Sequence, residues 1–330
     1  MAIYTKPPKT YDELVSLLQD RNLIIKDRYK AKLKLESINY YRLSGYMLPY
    51  KRIVGGIMTD DFRDGITWGN IYSLYLFDRK LRLLVFDAIE RIEIAIRAQL
   101  IYQLSHKYGS HWQDNPTIFK PAYKLTLKNG QVITVDAFTT IQKQISSQLH
   151  NNKAEVFIKH YSDTYSAPVN PPCWMSIEIM YFSQLSSICE NLANRADLVR
   201  IANYFSLPPD EFVSWLHTIN YIRNVCAHHA RLWNRDFHIE PAVLRFSKNK
   251  IWLSNPSIYN RKRIYYFLCM LNYLLQTINP TSHFCRRLKH LLFQYRHVIY
   301  LEAMDFQKDW KKEPIWKRKK KIWNTMINQK

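Results

Sequence analysis

From Ile71 to Lys107 apolar side chains recur at intervals of three and four: Leu74, Phe77, Leu81, Leu84, Ala88, Ile92, Ala95 and Ile96, with Arg and Glu filling the other face. That period is helical, and Gly109 is placed to stop it. The chain is therefore organised around one long helix. Glycine use agrees: 7 in 330 residues is too few for turn-rich β architectures, which need positive φ often. With 47% hydrophobic residues, the expectation is a globular, mainly α fold.

Shorter elements flank this helix. Thr10 and Glu13 form a capping-box pattern that opens a helix to about Asp20. A second helix is expected over Asp27 to Ser37. Residues 51–70 hold four of the seven glycines and read as a loop or weak hairpin. Alternation around Asn129-Gly130 predicts a β-hairpin near 124–134. Further helices are expected at 136–149, 174–192, 196–204, 261–278 and 282–303. Pro208-Pro209-Asp210-Glu211 opens another, with prolines at its entry and acids in its first turn. In domain terms, residues 1–70 form an N-terminal helical extension. Residues 71–304 form the helical core with its hairpin insertion, and 305–330 a basic, Trp-rich tail.

Lys plus Arg outnumber Asp plus Glu by 48 to 27, a formal charge of +21. Such an excess favours polyanionic partners by counterion release or by attraction to acidic surfaces. The five cysteines, Cys173, Cys189, Cys226, Cys269 and Cys285, are scattered, as expected of packed, reduced thiols in a cytoplasmic protein. The start of the chain lacks the apolar stretch of a signal peptide. The most apolar run, Ile264 to Leu275, is short of a membrane span, so no membrane association is expected.

The helix that begins near Pro209 has two contrasting faces. Trp215, Ile219, Ile222 and Cys226 make an apolar stripe, and His217, Asn220, Asn224 and His228 a polar one on the opposite side. A solvated face would normally carry Lys and Glu. Amides and imidazoles bond with defined geometry and stabilise little when merely exposed. At the helix end, Arg223-Asn224-Val225-Cys226-Ala227-His228-His229 offers a permanent cation, an amide and two imidazoles.

That set can cleave RNA without a metal or cofactor. An imidazole takes the proton of a ribose 2′-hydroxyl, a second acid protonates the leaving 5′-oxygen, and Arg223 offsets the charge on the phosphorane. Positioned proton transfer contributes roughly 10²- to 10⁴-fold, and preorganised charge a further factor of about 10² to 10³. Arg223 and His228 stand five residues apart and project apart on an ideal helix, which points to a site completed by a second subunit. Against this stands the blander reading, in which His228 caps the helix and Asn224 is a core amide. Cys226, His228 and His229 invite a zinc reading, but no second ligand pair stands at ligand spacing.

Several blocks of the chain resemble the bacterial abortive-infection family that includes AbiD and AbiF, a branch of the HEPN superfamily. They are Ile38–Tyr46 (INYYRLSGY), Leu76–Arg82 (LFDRKLR), Ile89–Glu93 (IERIE) with Arg97, Cys173–Glu178 (CWMSIE) and Tyr221–Arg235 (YIRNVCAHHARLWNR). The resemblance implies a HEPN-type helical bundle, a homodimer, and metal-independent RNA cleavage by an Arg-x4-His motif that falls on Arg223 and His228, with Asn224 beside the arginine. It further implies a role in phage defence and a small noncoding RNA as a regulatory partner. Glu178, His229 and Arg231 are supporting candidates, and Glu90 shares with Glu178 the task of orienting Arg223. For Glu178 and Glu90 the competing role is a structural ion pair with Arg79, Arg91 or Arg97.

In the tail, Trp316, Lys317, Arg318, Lys319, Lys320, Lys321 and Trp323 mix cations with aromatics, a pattern that tracks phosphates and stacks on unpaired bases. The competing reading makes the tryptophans staples to the core. Two other functions stay open at this point: a non-catalytic RNA-binding or RNA-sensing subunit, and a structural interaction protein with no RNA affinity.

Overall fold

A computed structural model describes residues 3, 5, 7–127, 129–151, 153–245, 247 and 251–317. Among them are twelve α-helices and two small antiparallel hairpins, a mainly α fold. α1 (Tyr11–Asp20) opens on the Thr10/Glu13 capping box, with Glu13 accepting from the Thr10 N–H at 2.6 Å. α2 (Arg28–Ile38) is capped by Asp27. α3 (Tyr40–Met47) begins after a single residue, Asn39, whose φ of +74° breaks the helix while its side chain caps the next. β1 (Lys51–Val54) and β2 (Ile57–Phe62) form a hairpin turned by Gly55 and Gly56, both at positive φ.

α4 (Trp68–Tyr108) is the 41-residue spine, roughly 60 Å long. Thr67 and Asn70 cap its start, and Gly109, at φ +88°, ends it. β3 (Tyr123–Thr126) and β4 (Val132–Val135) pair around Asn129-Gly130. Then come α5 (Ala137–Leu149), α6 (Val156–Thr164), α7 (Cys173–Ser176), α8 (Phe182–Glu190), α9 (Arg195–Tyr204), α10 (Pro209–Ala227), α11 (Ile264–Ile278) and α12 (Phe284–Gln294). α3, α8, α9, α10, α11 and α12 all pack on α4, which is why its buried residues wrap more than one face. Every residue of α11 from Ile264 to Leu275 is buried in this core. Among the described residues no helix is long and apolar enough to cross a membrane.

Three expectations need correction. The helix expected over 174–192 is two, α7 and α8, separated by Ile177–Tyr181. Arg97 of α4 explains the break: its guanidinium takes the carbonyls of Ile177, Glu178 (3.0 Å) and Met180 (2.7 Å), which a continuous helix would have used internally. The last helix stops at Gln294 rather than Ala303, and Tyr50 takes the carbonyl of Val298 in the turn beyond it. Nor is the chain from Asp305 onward a free tail up to Lys317. Trp310 and Trp316 are buried, and Trp316 donates its indole N–H to the Tyr265 hydroxyl at 3.1 Å. Trp316 is 1% exposed and so unavailable to stack on a base, whereas Lys317 is exposed. Arg318, Lys319, Lys320, Lys321 and Trp323 lie outside the described residues.

Candidate active site at the end of α10

α10 buries Trp215, Ile219, Ile222 and Cys226 and leaves His217 exposed, with Asn220 and Asn224 half-buried on the polar side. Its C-terminus closes in a Schellman turn. The Ala230 N–H bonds to the Val225 carbonyl and the His229 N–H to the Cys226 carbonyl, both at 3.0 Å. His228 is the last near-helical residue, and His229 takes the left-handed position at φ +55°, where glycine is the usual occupant. Both side chains are exposed. Cys226, beneath them, is buried, and burial pushes its thiol up to about 12, so it packs rather than reacts.

The left-handed backbone of His229 costs about 1 kcal/mol relative to glycine. His229→Gly is therefore expected to raise the unfolding free energy by about that amount, measured by urea denaturation. A neutral or destabilising result would mean that the imidazole makes an offsetting contact.

The chain just after this turn is held from below. Asp78 of α4, fully buried, accepts from the backbone N–H groups of Leu232 (3.1 Å) and Trp233 (2.6 Å) and from the Tyr46 hydroxyl (2.6 Å), and forms an ion pair with Arg82. Burial pushes the Asp78 carboxyl above its usual range, against the pull of Arg82 and these donors. Two ties come from α3: Arg42 donates to the His229 carbonyl and Arg231 to the Gly45 carbonyl, both at 2.7 Å. Arg231, a supporting candidate on sequence grounds, thus has a structural bond. Sequence reasoning assigned no role to Asp78, Arg82, Tyr46 or Arg42. The available signal was Asp78 and Arg82, two charges four residues apart within the apolar register of α4.

Arg223 points elsewhere. It is half-buried in a cleft of about 300 Å³ between α4 and the α7–α8 break, lined by Phe86, Glu90, Glu93, Ile94, Arg97 and Glu178. Its guanidinium lies 5.9 Å from the centre of the Phe86 ring and makes a long 3.4 Å bond to the Asn224 amide oxygen. Among the described residues it forms no ion pair. Glu93 is taken by Arg97 (2.6 Å) and Asp87 by Arg91 (2.7 Å), and among the described residues neither Glu90 nor Glu178 forms an ion pair with Arg79, Arg91 or Arg97. Arg97 fixes the backbone of Glu178 at the rim of this cleft.

Within one chain, then, the predicted residues fall into two places. Arg223 and Glu178 share the cleft, while His228 and His229 sit on the exposed turn, and among the described residues no hydrogen bond joins Arg223 to His228. Nor is there a cluster of three His, Cys, Asp or Glu side chains, among the same residues, placed to hold a metal ion.

A family model described as Abi-like protein matches residues 33–234, more than half of the chain. The chain belongs to the Abi-like family. No curated protein and no solved structure matches it. The Abi-like match contains α3, α4, α7, α8 and α10, hence the motif turn, the Asp78 network that holds it and the Arg97 contacts that place Glu178. Membership supports a role in abortive infection, the arrest of an infected cell in phage defence.

Proposed function

We propose that this chain is a metal-independent endoribonuclease of abortive infection, a HEPN-type bundle acting as a homodimer, with Arg223, Asn224 and His228 as its catalytic residues. One observation carries the reading. The turn bearing His228 is anchored to α3 and α4 by a buried carboxylate and two guanidinium bonds, while its imidazole is exposed and Arg223, in its own cleft, forms no ion pair among the described residues. Preorganised supports beneath unspent functional groups are what a catalytic site requires.

His228 accepts the proton of a ribose 2′-hydroxyl as the 2′-oxygen attacks phosphorus. The bond from phosphorus to the 5′-oxygen breaks, and that oxygen takes a proton from a second acid, for which solvent water suffices. Arg223 bears on the nonbridging oxygens, with Asn224 bonded to its guanidinium and Glu178 beside it in the cleft. The products are a 2′,3′-cyclic phosphate and a 5′-hydroxyl. DNA lacks the nucleophile and is spared.

The purified protein is expected to cut RNA in EDTA, leaving cyclic phosphate ends, and to leave DNA of the same sequence whole. RNA that stays whole with and without divalent metal would favour the alternative, a non-catalytic RNA-binding or RNA-sensing subunit that works with a small noncoding RNA. The separation of Arg223 from His228 within one chain is the observation on that side.

A further inference from the structure

α3 meets the motif turn through Arg42 and Gly45 and also lines a second cleft. This cleft, about 370 Å³, lies between α3, the end of α1 and the β1–β2 hairpin, and its lining includes Arg21, Tyr40, Tyr41, Ser44, Lys51 and Asp60. Its volume is in the range that holds a small ligand, roughly 300–1,000 Å³. Tyr41 is 84% exposed, an extreme for an aromatic side chain on a helix whose opposite side, Leu43, Tyr46 and Met47, is fully packed. Beside it, Arg42 is exposed and reaches the His229 carbonyl at 2.7 Å. Within the cleft Arg21 and Lys51 both meet the Asp60 carboxylate, at 2.6 and 3.7 Å.

We infer that this face of α3 is the path of the RNA strand leaving the cleavage site, and that it takes an unpaired segment. The inference rests on the nuclease reading above and adds the form of the substrate. A ring this exposed presents its face, and a base can stack on it only when it has left a duplex. Arg42 stands beside Tyr41 and Arg21 beside Tyr40, a pairing of cation and aromatic that can track a single strand by phosphate contact and stacking together. Continuity is built into the backbone: the Arg42 and Arg231 bonds make α3 and the motif turn one unit, so a strand crossing His228 meets Tyr41 next.

The test measures binding of a short single-stranded RNA by fluorescence anisotropy in the His228→Ala protein, which is expected to hold the strand uncut. Tyr41→Ala should weaken binding about 5- to 100-fold, the loss of one base–aromatic stack. Tyr41→Phe, which keeps the ring, should restore it. Tyr29→Ala, an equally simple loss of an exposed ring on α2 (70% exposed), should leave affinity unchanged. Wild-type affinity in Tyr41→Ala, or an equal loss in Tyr29→Ala, overturns the path over α3, as does duplex RNA that responds to Tyr41 as strongly as single strands do. The two readings fail separately. Cleavage that persists in His228→Ala removes the catalytic assignment and leaves the binding result standing, whereas an inert protein whose RNA affinity ignores Tyr41 removes only the path. No RNA binding by any of these proteins removes both.

Discussion

Asp78→Ala is expected to destabilise the fold by about 3–5 kcal/mol, a large part of the roughly 5–15 kcal/mol that holds a typical domain together. The carboxylate is wholly buried and serves four groups at once: the Tyr46 hydroxyl, the Arg82 guanidinium and the N–H groups of Leu232 and Trp233. Its loss strands a guanidinium only 6% exposed and orphans two backbone donors, and each such group carries its desolvation cost into the folded state. The charge can be separated from the cavity. If most of the loss is the uncompensated guanidinium, Asp78→Ala combined with Arg82→Met should be more stable than Asp78→Ala alone. Urea denaturation reads both. A wild-type midpoint for Asp78→Ala would show that this network does not hold the motif turn in place.

The second large effect is on activity. Arg223→Ala and His228→Ala are each expected to lower RNA cleavage by about 10²- to 10⁴-fold. His228→Ala should alter stability by no more than about 0.5 kcal/mol because the side chain is exposed, and Arg223→Ala by about 1 kcal/mol, the loss of its contact with the Phe86 ring. This pairing of outcomes matters: Asp78 variants are expected to lose activity by loosening the turn, whereas the motif variants should lose it with unfolding curves little changed. In cells, His228→Ala should express normally and lose toxicity. Retained cleavage in either variant would move the chemistry off α10.

How much of this was legible in the sequence depended on how local its cause was. The spine α4, the capping box of α1, both hairpins and the two faces of α10 follow from periodicity, caps and turn residues, and all can be read within a window of a few turns. What could not be read has a distant cause. The break between α7 and α8 is made by Arg97, some eighty residues earlier in the chain. α3 hides because Asn39 alone, at positive φ, separates it from α2. The burial of Trp316 depends on a hydroxyl, Tyr265, fifty-one positions away. At the site, the residue types of the motif were visible, but their supports were not. Asp78 and Arg82 stand out as charges within the apolar register of α4, but what they hold, the chain after the motif, is some 150 residues away. Five residues on a helix is about 140° of rotation, and Arg223 lines the cleft beside α4 while His228 lies on the exposed turn.

That divergence makes the convergence of the two groups across a dimer the central claim. It is tested most directly by co-expressing differently tagged Arg223→Ala and His228→Ala chains, isolating the mixed dimer, and measuring RNA cleavage in EDTA. One subunit then brings the guanidinium and the other the imidazole. Cleavage well above that of either variant dimer is expected. A mixed dimer as inactive as both parents would contradict a site shared between subunits.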